Sequence, residues 1–94
     1  MYLLFKARKE RIMKTPGQNA ICTAALKSDL YEDICQIYVI DNTVDAKYPV
    51  YTLVINHPTN YWAHDYDTLE EALESFAGHV ASYCEAGNWE VIPQ

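Results

Sequence analysis

Apolar positions recur along the chain with two different periods, and the change of period marks where strands should give way to a helix. "DICQIYVID", residues 33–41, is rich in β-branched and aromatic residues and ends at Asp41-Asn42, so it reads as a strand. A second strand is expected in "YPVYTLVIN", residues 48–56, after "NTVDAK", with Pro49 at its start, where a strand tolerates proline. These two form a hairpin. A third strand runs through "NYWAHDY", residues 60–66, where Tyr61, Ala63 and Asp65 face one way and Trp62, His64 and Tyr66 the other.

The period then lengthens. At about 100° per residue, Leu69, Leu73, Phe76 and Val80 fall on one stripe, flanked by Ala72, Ala77, Tyr83 and Cys84, while Glu70, Glu71, Glu74 and Glu85 lie opposite. Asp67 or Thr68 caps this helix, and Thr68 with Glu71 fits the capping-box pattern. The helix is predicted over residues 68–86, with Gly87 as its stop and "NWEVIPQ" as a short last strand.

Residues 19–33 carry a mixed signal. Cys22, Leu26, Leu30 and Ile34 recur every four residues and favour a second helix around 19–32, while "NAICTAAL" also fits a strand entering a hairpin at "KSDLYED". Helix is the preferred expectation. The predicted fold is α+β: a small antiparallel sheet of about three to five strands, covered on one face by the long C-terminal helix.

Composition agrees with a folded body. The chain has 94 residues, half of them apolar and 13 % aromatic, enough for one domain that buries roughly 60 to 70 % of its extended-chain surface. No apolar run approaches the roughly 18 to 20 residues that span a bilayer. "MYLLFKARKERIM" places its apolar residues ahead of its charges, the reverse of a secretory signal, and a cytoplasmic protein is expected. Cys22, Cys35 and Cys84 are widely spaced and form no CxxC, so buried free thiols are expected.

Charge divides the chain. Residues 1–18 hold Lys6, Arg8, Lys9, Arg11 and Lys14 against Glu10, a balance of +4, whereas the remainder carries −10. A basic N-terminal arm, residues 1–15, thus precedes a single acidic domain, residues 16–94, with Pro16 and Gly17 of "KTPGQN" at the boundary. The plainer role for the arm is an edge strand or short helix whose Leu3, Leu4 and Phe5 dock on the body.

Candidate chemistry is sparse. His57 and His64 could ligate a metal with Asp65 or Asp67, but seven residues apart they would fall on opposite faces of a continuous strand. His79 and Cys84 are about 140° apart around the helix and face each other poorly. Of three glycines, Gly17, Gly78 and Gly87, none belongs to a phosphate-binding loop. No metal, cofactor or catalytic residue is expected, and the acidic body would be repelled by the phosphates of a nucleic acid.

What remains is surface. Tyr61, Asp65, Asp67, Glu70, Glu71 and Glu74 could join into an acidic, tyrosine-bearing patch that grips a basic partner, because carboxylates pair with Arg or Lys and tyrosine supplies rigid contact area. A solvated face that keeps the protein dissolved is the simpler account. The function expected is non-enzymatic binding of a larger protein with a basic surface, such as a nucleic-acid-handling complex whose phosphate groove the carboxylates would occupy. Small inhibitors of host defence encoded by phages and mobile elements share this profile. The alternatives are a homo-oligomeric structural or regulatory subunit, and an enzyme or ligand binder using His64 or His79 with a nearby Asp or Cys.

Overall fold

The computed structural model describes residues 20–43 and 50–93. The basic arm, the Pro16-Gly17 boundary and Pro49 lie outside them. Within the described residues the order is β1 (Ala20–Lys27), β2 (Cys35–Asp41), β3 (Tyr51–His57), β4 (Asn60–Tyr66), α1 (Leu69–Glu85) and β5 (Glu90–Val91). The five strands form one sheet in the order β4-β3-β2-β1-β5, every neighbouring pair antiparallel. β1 to β4 are a meander; α1 then carries the chain from one edge of the sheet to the other, where β5 adds beside β1.

The helix expected around 19–32 is a strand instead. β1 hydrogen-bonds to β2 on one side and β5 on the other, which satisfies a backbone row that an isolated helix would have satisfied internally. Cys22 and Leu26, four apart, share a face in a strand as well as in a helix, so the first half of the four-residue pattern could not discriminate. Its second half does: Leu30 is 65 % exposed and Ile34 42 %, both beyond the end of β1. The realised hairpin was the competing expectation from "NAICTAAL".

The sheet is buried on the side that α1 covers. Leu26, Cys35, Ile37, Val39, Leu53 and Ile55 alternate along β1, β2 and β3 and meet Ala72 of the helix in one cluster that Trp89 closes. Burying each of the larger aliphatic side chains is worth about 1.5 to 3 kcal/mol. The helix seam is rotated from the predicted stripe. Ala72 is fully buried, with Phe76, Val80, Tyr83 and Cys84 packed against the core, whereas Leu73 is 38 % exposed at the rim. Small Ala72 lets the helix backbone approach the sheet closely, and that approach sets which neighbours turn inward.

Both helix ends are specified locally. Thr68 has extended backbone angles and its hydroxyl accepts the Glu71 N–H at 3.2 Å while donating to Glu71 Oε1 at 3.0 Å. Such a cap contributes about 1 kcal/mol. At the other end Gly87, with φ of +87°, turns the chain out of the helix, its N–H donating to the Cys84 carbonyl at 3.1 Å.

Candidate functional site

The corner between β4 and α1 gathers the acidic residues singled out in the sequence. Asp65 closes β4 on the face away from α1, Asp67 lies in the turn, and Glu70, Glu71 and Glu74 occupy the first two turns of the helix; all are exposed. Tyr61 is exposed on the same face as Asp65, but four residues away along β4, or roughly 13 Å. The carboxylates therefore cluster at the corner, and Tyr61 stands apart from them at the far end of the edge strand.

Hydrogen bonds fix part of this corner. The Asn42 amide donates to Thr52 Oγ1, and Thr52 Oγ1 donates to Asp65 Oδ1 at 2.7 Å, a relay that crosses from the end of β2 through β3 to β4. Thr68 holds Glu71 as described. On the helix side, the Tyr66 hydroxyl donates to Ser75 Oγ at 2.7 Å. Tyr66 also meets His64 at 4.7 Å between ring centroids, His64 stacks on Trp62 at 5.9 Å, and Trp62 meets His79 at 5.1 Å. This row of rings lies between the edge strand and the helix.

No cation offsets the corner among the described residues. Their one lysine or arginine is Lys27, at the end of β1 beside the opposite edge strand, 3.9 Å from Glu90 with both side chains exposed. Glu70 and Glu74 are neighbours on the helix surface and repel one another by a few tenths of a kcal/mol. The helix N-terminus favours Glu70 and Glu71, which lie in its first turn.

Among the described residues the histidines are not gathered at one place. His57 and His64 were expected on opposite faces of a continuous strand, but the turn at Pro58-Thr59 folds that stretch into the β3/β4 hairpin and places both on the helix side. His57 pairs with Asn60 in register, which leaves His64 four residues further along β4, roughly 13 Å away. Asp65 points to the other face. Among the described residues no three His, Cys, Asp or Glu side chains are grouped to hold a metal ion.

His57 belongs to an aromatic cluster that the sequence did not announce. Its ring lies 5.1 Å from Tyr31, 5.3 Å from Trp89 and 6.1 Å from Tyr83, and Tyr31 stacks on Trp89 at 5.5 Å. His57 Nδ1 accepts the Thr59 N–H at 3.2 Å, which requires an unprotonated Nδ1. Burial lowers the His57 pKa, and burial, followed by the neighbouring Cys35, raises that of Tyr83. Both groups are thus held neutral. The signal for this cluster was Gly87 followed by "NWEV": once β5 pairs beside β1, Trp89 must lie near the β1–β2 connection that carries Tyr31.

Cys84 opens onto a polar cleft of about 420 Å³ between the β1–β2 turn and Gly87–Glu90. No histidine lines it, and His79 packs on Trp62 instead. Among the described residues no helix is long and apolar enough to cross a membrane. Comparison of the chain with protein-family models, with curated proteins and with solved structures finds no match in any of the three.

Proposed function

We propose that this protein is a non-enzymatic binding module whose acidic corner engages a basic surface on a larger protein. One observation carries the reading: Asp65, Asp67, Glu70, Glu71 and Glu74 crowd one corner, exposed, while Lys27, the single cation of the described residues, sits on the far side of the sheet beside the other edge strand. Glu70 and Glu74 repel each other across one helical turn, a cost the fold does not require. A partner bearing Arg or Lys would relieve that repulsion. A groove that binds phosphates is the partner surface that fits best, with carboxylates standing in for phosphate oxygens. An inhibitor of a nucleic-acid-handling complex, of the kind phages and mobile elements direct at host defence, would work in this way.

The test is a tagged pull-down from nuclease-treated lysate, read by mass spectrometry and run beside a Glu70→Gln, Glu71→Gln, Glu74→Gln variant. One stoichiometric protein held by the wild type, lost with the variant and released by added duplex DNA supports the reading. A protein retained equally by both would remove the corner from it.

The edge strand favours a second reading, self-association. β4 presents an unpaired hydrogen-bonding edge among the described residues, its residues are almost all exposed, and Tyr61 and Trp62 are 51 % and 37 % exposed. Pairing of two β4 edges would bury them. A monomeric mass that does not change with concentration would count against it.

A further inference from the structure

A shallow groove runs along the flank of α1 that faces the edge strand. Ser75, Gly78, His79 and Ser82 line it, and it holds about 290 Å³. Both ends of the contact with β4 are fixed: Ser75 bonds to the Tyr66 hydroxyl, and the His79 ring lies 5.1 Å from Trp62, which stacks in turn on His64 at an interplanar angle of 8°. Trp62 is nevertheless 37 % exposed. A large ring held on two sides and left partly open supplies rigid contact area that the core does not use. Gly78 keeps the floor of the groove low. Inside a helix glycine is the least favourable residue after proline, and neither a positive φ nor a close approach asks for it here: among the described residues, a side chain added at Gly78 would meet nothing within 4 Å. What glycine preserves at this position is the open space itself.

We propose that this groove seats an arginine side chain of the basic partner, its guanidinium stacked on Trp62 and paired with a carboxylate of the helix rim. The inference rests on the acidic corner as the partner-binding surface, and it extends that surface along α1 to a named side chain. Charge complementarity decides the occupant. Glu71 precedes Ser75 by four residues, Glu74 precedes Gly78 by four and Glu85 follows Ser82 by three, spacings that set each carboxylate beside the groove, and all three are exposed. Among the described residues no lysine or arginine answers them there. A second copy of α1 would bring its own glutamates to the same rim. A single nucleic-acid strand, whose bases the rings could stack, would be repelled by the same carboxylates. Of the two basic side chains the arrangement selects arginine, because a planar guanidinium stacks on a ring while its N–H groups reach a carboxylate. The lysine ammonium is a compact, strongly hydrated charge and does only the second.

The experiment is a titration of the full chain at low salt, followed by nuclear magnetic resonance at the indole N–H groups of Trp62 and Trp89. The probes are end-blocked hexapeptides that alternate glycine with arginine or glycine with lysine. The arginine peptide should bind about threefold to tenfold more tightly than the lysine peptide, and it should shift the Trp62 signal while leaving that of Trp89 in place. Trp62→Leu should abolish the preference. Gly78→Leu, which fills the groove with a better helix former, should weaken the arginine peptide without lowering the melting temperature. Equal affinities for the two peptides in the wild type would overturn the proposal, as would a preference that survives Trp62→Leu or an arginine affinity that Gly78→Leu leaves unchanged. If in those cases the Glu70→Gln, Glu71→Gln, Glu74→Gln variant still loses both peptides, the acidic corner stands and only the groove falls. Affinities that this variant leaves unchanged would remove the corner and the groove together. The wild-type comparison and Gly78→Leu decide the matter even if Trp62→Leu fails to fold.

Discussion

The Tyr66 hydroxyl donates to Ser75 Oγ at 2.7 Å, and the stretch between the two residues carries Asp67, Glu70, Glu71 and Glu74. It fastens the edge strand to the second turn of α1 and so brackets most of the acidic corner. Tyr66→Phe should cost about 1 kcal/mol of stability, the usual net worth of a partly buried hydrogen bond. Ser75→Ala should cost a similar amount, and the double variant no more than either alone by about 0.5 kcal/mol. Denaturant unfolding of the four proteins checks the coupling; additive losses would mean that the bond contributes nothing.

Neutralising Glu70, Glu71 and Glu74 together to Gln should weaken binding of a basic partner while leaving the fold in place. The salt dependence of the remaining affinity should flatten, because surface charge pairs are screened over about 10 Å at 0.1 M salt. Calorimetric titration against the captured partner at two salt concentrations measures this. The Thr68 cap survives the change, since the Glu71 backbone N–H remains its donor.

Acid should destabilise the protein through His57. Burial holds its folded pKa below the ordinary 6.5, so the unfolded chain binds the proton more readily. The His57 contribution is fully present above the unfolded value and is lost as pH falls through the folded one. Tyr83, whose pKa burial raises, packs against the ring and stays neutral in this range. Melting temperatures taken from pH 8 down to pH 5 should therefore fall more steeply for the wild type than for His57→Phe. Equal slopes would show that His57 is not protonated on unfolding.

The thiols should differ sharply. Burial pushes Cys35 up to about 12, so its thiolate fraction at pH 8 is about 10⁻⁴, roughly a thousandfold below that of a free cysteine. Cys22 is raised as well, chiefly by burial. Labelling with an aromatic disulfide reagent should leave Cys35 untouched until the protein unfolds; prompt reaction at Cys35 in the native protein would contradict its place in the core.

Much of the fold was legible because particular residues left few options. Thr68, Glu71 and Gly87 fixed both ends of α1 to within a residue, and "NYWAHDY" matched β4 with its two faces as expected. Residues 19–33 were not legible because Cys22 and Leu26 satisfy strand and helix alike, and alanine's helical preference yielded to pairing on both sides of β1. Leu73 lies nearer the rim than its periodicity implies because the closeness of helix to sheet depends on Ala72, which periodicity alone treats as a flank. For the acidic corner, Asp65 through Glu74 were legible from proximity in the chain. Tyr61 was separated from them by the length of β4, and the aromatic cluster around His57 depended on a strand order that no local pattern encodes.

That strand order has a kinetic side. The hairpins β1–β2, β2–β3 and β3–β4 join residues close in sequence, whereas Leu26 and Val91 meet across about 65 positions. Closing the larger loop costs more chain entropy, and a two-residue strand returns little for it. β5 should thus be the last element to dock and the first to open, with Trp89, 8 % exposed and stacked on Tyr31, as the fluorophore that senses its departure. Amide exchange should show Val91 opening far more often than Ile37 in the same sheet, so that the order in which the protein comes apart retraces, in reverse, the order of its loop closures.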